Sequence, residues 1–331
     1  MPSLRREIVL LVLVLAACLL IVPAAAVEVP LGEHTVVRFA DQHEGIAALT
    51  MRDDYIQQLS PFDRQVRLRT DRPVSEEEFL GYTAGHVRPW TNDEIARLRA
   101  MLDELAKKLR PWKLPLPPLF LLVKTSGEEE GRAAYCRGNA IVLPQNMVDQ
   151  QPSRLPKILP HEVFHVLSSH NPELRRKLYA TIGFHPVGEV PLPEALAARK
   201  ITNPDAPLNN YAIATDSPGG RVEWLPVLIS KSERYDPARG GTLFNYLEFK
   251  LLQLEREGNS WRPALRNGQP VLIDPASVPG YAAQIGDNTK YIIHPEEILA
   301  DNFVFLLDGR IDLPTPRVVE AMGNVLQEMP K

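Results

Sequence analysis

The feature that most constrains this chain is His161-Glu162-Val163-Phe164-His165. Two histidines four positions apart lie on one face of a helix, where both imidazoles can reach one metal ion. Glu162 is rotated by about 100° from His161 and reaches the space beside that ion, where a carboxylate can take a proton from water. Val163, Phe164, Val166 and Leu167 make the rest of the helix apolar. A helix of that kind is buried. The fold therefore has to enclose two histidines and a carboxylate and still satisfy them. Pro160 predicts a helix start directly before the motif, because proline is favoured at a first helical position.

A catalytic zinc takes a third protein ligand and leaves a fourth position open. A third histidine six residues beyond His165, with a glycine three before it, is one solution. Asn171 and Ser168 stand at those positions. His170 would lie about 140° from His165 on a continuing helix and makes a poor ligand. The other solution is a glutamate on a separate helix. His294-Pro295-Glu296-Glu297-Ile298-Leu299-Ala300-Asp301 reads as one, with His294 as its cap. Glu297 and Asp301 share a face. Glu297 is expected to bind the metal, and Asp301 to accept the second ring N–H of a ligating histidine, His161. Glu296 points off that face and is expected to be solvated. The expected cofactor is one Zn2+ per chain.

The chain has 331 residues, 44% hydrophobic and 24% charged, enough for one large or two modest domains with a real core. There are 37 Lys+Arg against 41 Asp+Glu, a formal charge of −4, which argues against a nucleic-acid-binding surface. Two cysteines rule out a disulfide-stapled scaffold and a cysteine-rich zinc module. Arg5 and Arg6 precede an unbroken apolar run over 8–22, and Ala24-x-Ala26 follows. This pattern predicts a signal peptide over 1–26 and a mature chain from Val27. Two alternatives stay open: Leu15-Ala16-Ala17-Cys18 resembles a lipobox that would place a lipid on Cys18, or the run is an uncleaved anchor. All three imply an exported body, periplasmic or secreted, with membrane contact only at the N-terminus. After cleavage Cys136 would be the sole cysteine, expected to be buried and free.

The pattern along 27–331 is α+β: helices with a strand pair, a β-rich stretch over roughly 200–290, then helices. Thr91 caps a helix to about Leu109 whose apolar face is Ile95, Leu98, Met101, Leu102, Leu105 and Leu109. Ser75 and Glu78 form a capping box for a helix from Glu76. Leu119–Val123 and Ala133–Leu143 are predicted as two single strands. Asn171 is predicted to cap a helix that ends near Gly183. Val222–Ser230, Thr242–Leu254 and Val271–Ile273 are predicted as further strands. The last helix is expected from Thr315-Pro316 to about Met329. Glu128–Glu130 is expected to be a solvated loop, and Arg175, Arg176 and Lys177 to decorate a helix surface.

The pair HExxH…ExxxD resembles the gluzincin superfamily of zinc peptidases, and its ExxAD form is similar to the branch containing CAAX-prenyl and heat-shock-type membrane peptidases. The resemblance covers only the two motif helices. It implies a zincin-like helical core with a small sheet, His161, His165 and Glu297 as zinc ligands, Glu162 as general base and Asp301 behind a ligand. It also implies a peptide or protein substrate, lying along an edge strand before the HExxH helix, a place that Ala133–Leu143 fits. Glu297 follows His165 by 132 positions, so the β-rich stretch would be an insertion between the metal-binding helices. Such hydrolases use a donor to the developing oxyanion. Tyr211, Tyr281, Tyr291 and His185 stand open for that role. Two other functions are compatible with the same residues: a zinc hydrolase of a non-peptide amide or ester, and a cell-envelope binding protein with a relict metal site.

Overall fold

A computed structural model describes residues 27–328. The expectations for the signal segment, Cys18 and Met329 lie outside the described residues. The fold is mixed α and β with several sheets, the α+β class.

The first sheet is built from β1 (Glu28–Pro30), β2 (Val36–Phe39), β3 (Val87–Arg88), β4 (Leu119–Thr125), β5 (Tyr135–Arg137) and β6 (Ala140–Pro144). Its order is β1-β2-β4-β6-β5, with β3 paired to the end of β4. β2, β4 and β6 run parallel, and β5 closes the sheet as an antiparallel edge. The single strand expected over Ala133–Leu143 is therefore a hairpin. Gly138, at φ +57°, supplies the positive φ that turns β5 into β6.

The second sheet contains β7 (Phe184–Pro186), β8 (Tyr211–Ser217), β9 (Gly220–Ser230), β10 (Leu247–Glu257) and β11 (Ser260–Pro263). β12 (Leu265–Arg266) and β13 (Gln269–Pro270) form a separate two-stranded ribbon around Asn267-Gly268, and β14 (Leu272–Ile273) returns to pair with β10. All pairings in this sheet are antiparallel. The strand expected from Thr242 begins only at Leu247. Thr242 instead closes a capping box with Asn245 on a helical turn, Leu243–Tyr246. The β-rich region thus starts at Phe184, ahead of the expected boundary, and it shares a core with the helices. Ile213, Trp224 and Leu251 belong to the same buried cluster as Leu98, Leu102, Phe164 and Phe303.

Helix signals near strong caps match the structure. Thr91 and Glu94 form a reciprocal box at Asn92–Leu109, with Leu98, Leu102, Leu105 and Leu109 buried and Ile95 and Met101 packed alongside. Ser75 caps Glu76–His86 through the Glu78 N–H, but the expected box is one-sided, because the Glu78 carboxylate pairs with Arg72. Asn171 departs from its expected role. It makes no cap bond, and its side chain donates to the carbonyls of Leu167 and Pro115. No helix among the described residues is long and apolar enough to cross a membrane.

Glu128–Glu130 is not a solvated loop. It forms a 3-10 turn with Glu129 and Glu130 buried. Glu130 accepts two bonds from Arg67, at 2.8 and 2.5 Å, and one from Tyr55 at 2.8 Å. Arg67 also donates to Asp63 at 2.7 Å, and Asp63 accepts the Thr202 backbone N–H at 3.0 Å. This buried ionic group anchors the chain at Thr202, close to the motif helices.

Glu129 lacks such a partner. Its Oε2 has no hydrogen-bond partner among the described residues. Burial pushes its carboxyl up from 4.5 to about 7. The folded chain therefore holds this proton more tightly than the unfolded chain. The associated stability is present below about pH 4.5 and is lost as pH rises through about 7. Glu129→Gln removes that dependence. In urea unfolding, its stability relative to wild type should rise by about 3 kcal/mol between pH 4.5 and 8. Parallel pH profiles for the two proteins would contradict the assignment.

Candidate metal centre

The HExxH helix runs Leu155–His170, so it starts one and a half turns before the expected position, and Pro160 lies inside it. Leu155 and Leu159 are both 1% exposed. Burial of this first turn in the core sustains the helix although Pro160 has no N–H to contribute. The motif therefore sits in the middle of a helix, where its geometry is held on both sides. The ExxAD helix runs Pro295–Leu307, and His294 caps it by accepting the Glu296 N–H. The two helices pack together, with Phe164 and Phe303 ring centroids 5.6 Å apart.

That packing brings His161, His165 and Glu297 to one point, with their ligand atoms within 4.8 Å of one another. Glu297 Oε2 is 3.2 Å from His161 Nε2 and 3.6 Å from His165 Nε2. Each imidazole is held from behind by a carboxylate. His161 Nδ1 lies 3.1 Å from Asp301 Oδ1, and His165 Nδ1 lies 3.1 Å from Glu296 Oε1. A carboxylate on Nδ1 fixes a proton there and aims Nε2 at Glu297. Against burial, the neighbouring carboxylates raise both imidazoles, His165 to about 9, so a cation entering here displaces the Nε2 protons and meets three acceptor atoms. Buried His165 Nε2 has no hydrogen-bond partner among the described residues. A tetrahedral zinc with ligands at about 2.0–2.1 Å holds its ligand atoms about 3.3 Å apart, close to the 3.2 and 3.6 Å that separate Glu297 Oε2 from the two Nε2 atoms. The donor set, the ring orientation and the orphaned nitrogen all fit a divalent cation.

Glu296 corrects the sequence reading. It is fully buried, not solvated. Besides His165 it accepts the hydroxyls of Ser168, at 2.8 Å, and Tyr179. Arg175, expected on the surface, is three-quarters buried, donates to Ser168 Oγ at 2.9 Å and lies 4.0 Å from Glu296. Asp301 receives the Thr289 hydroxyl as well as His161. Two further residues had no sequence signal. Asn203 donates to Glu297 Oε1 at 2.6 Å, and Asp205 accepts the Cys136 N–H at 2.7 Å.

Glu162 is 3% exposed and faces Cys136, whose buried free thiol lies 3.3 Å from Glu162 Oε2. Burial pushes the Glu162 carboxyl up, against the pull of His165 and His161. A base with a raised pKa is suited to exchanging protons near neutrality. Burial acts on Glu297 in the same direction, but the protonated His165 and His161 of the metal-free centre, with the Asn203 N–H, outweigh it and hold that carboxyl down to about 2. Glu297 is thus ionised and ready to bind a cation, and the two glutamates are pushed apart into different roles.

The four oxyanion candidates separate by position. Tyr281 is fully buried and its hydroxyl donates to the Ile292 carbonyl at 2.7 Å. His185 pairs with Glu223 at 3.2 Å on the second sheet. Tyr211 lies edge-on to Tyr179, with centroids 4.6 Å apart. Tyr291 stacks over His161, ring centroids 6.4 Å apart, and keeps 40% of its surface exposed. His170 turns away from the centre and bonds the Val166 carbonyl.

No family model, no curated protein and no solved structure matches this chain.

Glu296→Gln removes the charge behind His165 and should weaken zinc binding by about 10- to 100-fold in a chelator competition titration. Unchanged affinity would take Glu296 out of the centre.

Proposed function

We propose that the chain is a zinc-dependent hydrolase of peptide bonds, built on a zincin-like core with gluzincin logic. The observation that carries this reading is the convergence of His161 Nε2, His165 Nε2 and Glu297 Oε2, with a carboxylate behind each ring. Glu162 beside them is the feature that distinguishes a hydrolase from a storage or structural site.

His161, His165 and Glu297 hold the ion. A bound zinc supplies a Lewis acid that polarises a carbonyl and acidifies water. Glu162 takes the proton of the attacking water and gives it to the departing amine. Cys136 and the surrounding core keep bulk water from this carboxylate, which sustains its raised pKa. Asp301 and Glu296 hold both rings in one tautomer through the cycle. Tyr291 is the hydroxyl best placed to meet a developing oxyanion near His161.

The edge strand favours peptides over other amides. β5 ends the first sheet as its antiparallel edge strand, covered by the Asp205 segment and not by a further strand, and its Cys136 touches Glu162. An extended peptide added to such an edge gains main-chain hydrogen bonds directly beside the base.

Glu162→Gln preserves shape and all three ligands. The variant should retain zinc and lose about 10²- to 10⁴-fold in turnover of an unstructured protein substrate, followed by mass spectrometry of the products. Wild-type turnover by zinc-loaded Glu162→Gln would overturn the proposal.

A further inference from the structure

The centre is covered. Glu162, His165 and Glu297 expose only 3%, 2% and 1% of their surfaces. Part of the cover comes from Asn203-Pro204-Asp205, remote in sequence from both motif helices. Asp205 Oδ1 takes the Cys136 backbone N–H at 2.7 Å, and Asn203 Nδ2 bonds Glu297 Oε1 at 2.6 Å. The Asp205 N–H returns to Asn203 Oδ1 at 3.1 Å, and the Ala206 N–H to the Asn203 carbonyl at 3.2 Å. The three residues thus form one tight turn against β5.

Two cavities lie along that same edge. One, of about 280 Å³, is lined by Arg137, Gly138 and Asn139. The other, of about 40 Å³, is lined by Ala133, Ala134 and Tyr135. Pro204 and Asp205 line both. The groove beside β5 is therefore divided at Cys136, the residue that touches Glu162.

We propose that Asn203-Pro204-Asp205 is an internal occupant of the substrate groove. It holds the place that an extended polypeptide takes on adding to β5, and the structure is the closed form of the site. The inference rests on the peptidase reading for the identity of the groove. The Cys136 N–H is a main-chain donor that a docking strand needs, and Asp205 satisfies it from within the chain. The turn is tethered at its two ends. Thr202 is held by Asp63 and Arg67, and Lys200 Nζ bonds the Pro207 carbonyl at 2.8 Å. Between the tethers, the Asn203 and Asp205 side-chain bonds hold it to the centre. Asp205 also brings a carboxyl oxygen within 4.8 Å of that of Glu162, directly over the base. An entering strand replaces the Asp205 bond with its own. Apparent affinity is reduced by the fraction of molecules that are closed.

The test uses binding on an inactive background, so that a failure of the peptidase reading appears in cleavage assays and a failure of this inference appears here. Fluorescein-labelled β-casein, an unstructured polypeptide, is titrated by anisotropy into zinc-loaded Glu162→Gln and into the same protein carrying Asp205→Ala. Removing the occupying carboxylate should tighten binding at least about tenfold at equal zinc content. Asp205→Asn keeps an acceptor for Cys136 and should bind more weakly than Asp205→Ala. Hydrogen exchange of the wild-type chain makes the test independent of how the variants fold. Casein should speed exchange at the Asp205 and Ala206 amides. Equal or weaker binding by the Asp205→Ala protein, absence of binding to either, or unchanged exchange would overturn the proposal.

Discussion

Two imidazoles converge on Glu297 because each is clamped from behind by a carboxylate. Asp301 holds His161 and Glu296 holds His165, both through Nδ1. Everything else in the centre depends on those two bonds. They hold a proton on each Nδ1 and aim both Nε2 atoms at Glu297. All three carboxylates come from the first two turns of the ExxAD helix, and both histidines from one turn of the HExxH helix. The candidate metal centre is thus the contact between two helices, and the aromatic packing of Phe164 on Phe303 sets their approach.

Enclosing this much charge is costly unless every group is partnered. The fold meets that demand in layers. Ser168 and Tyr179 complete Glu296, Thr289 completes Asp301, and Asn203 occupies the Glu297 oxygen Oε1. A second ionic group, Asp63, Arg67 and Glu130, fixes the chain at Thr202 and so delivers Asn203 and Asp205 to the centre. The long intervening region is therefore part of the site. Its second sheet shares the main core, and the segment between β7 and β8 carries the cover.

Regular spacing made the clustered residues legible in the amino-acid sequence. His161 with His165, and Glu297 with Asp301, are each four apart, so one helix turn relates them wherever the helices lie. Glu296 escaped because rotation by one residue was taken to mean exposure. The Ile298-Leu299-Ala300 run that follows it makes that helix apolar on several sides, and a helix buried all round buries its glutamates too. Asn203 and Asp205 lie in an irregular segment with no periodicity, and nothing local announces their partners. Pro160 suggested a helix start, yet Leu155 and Leu159 carry the helix through it by burial. The β5–β6 hairpin had a local signal that the single-strand reading passed over: Gly138-Asn139, after Arg137, is a two-residue turn between two apolar stretches. Glu128–Glu130 looked solvated by composition alone, and only the three-dimensional approach of Arg67 and Tyr55 explains its burial.

The central claim is that His161, His165 and Glu297 form a zinc site. Its most direct test is the metal content of the purified chain from Val27, measured by elemental mass spectrometry beside Glu297→Ala. The geometry predicts about one zinc per wild-type chain and strong loss in the variant. A wild-type chain that binds no zinc after reconstitution, or a Glu297→Ala chain that binds it equally well, would contradict the account.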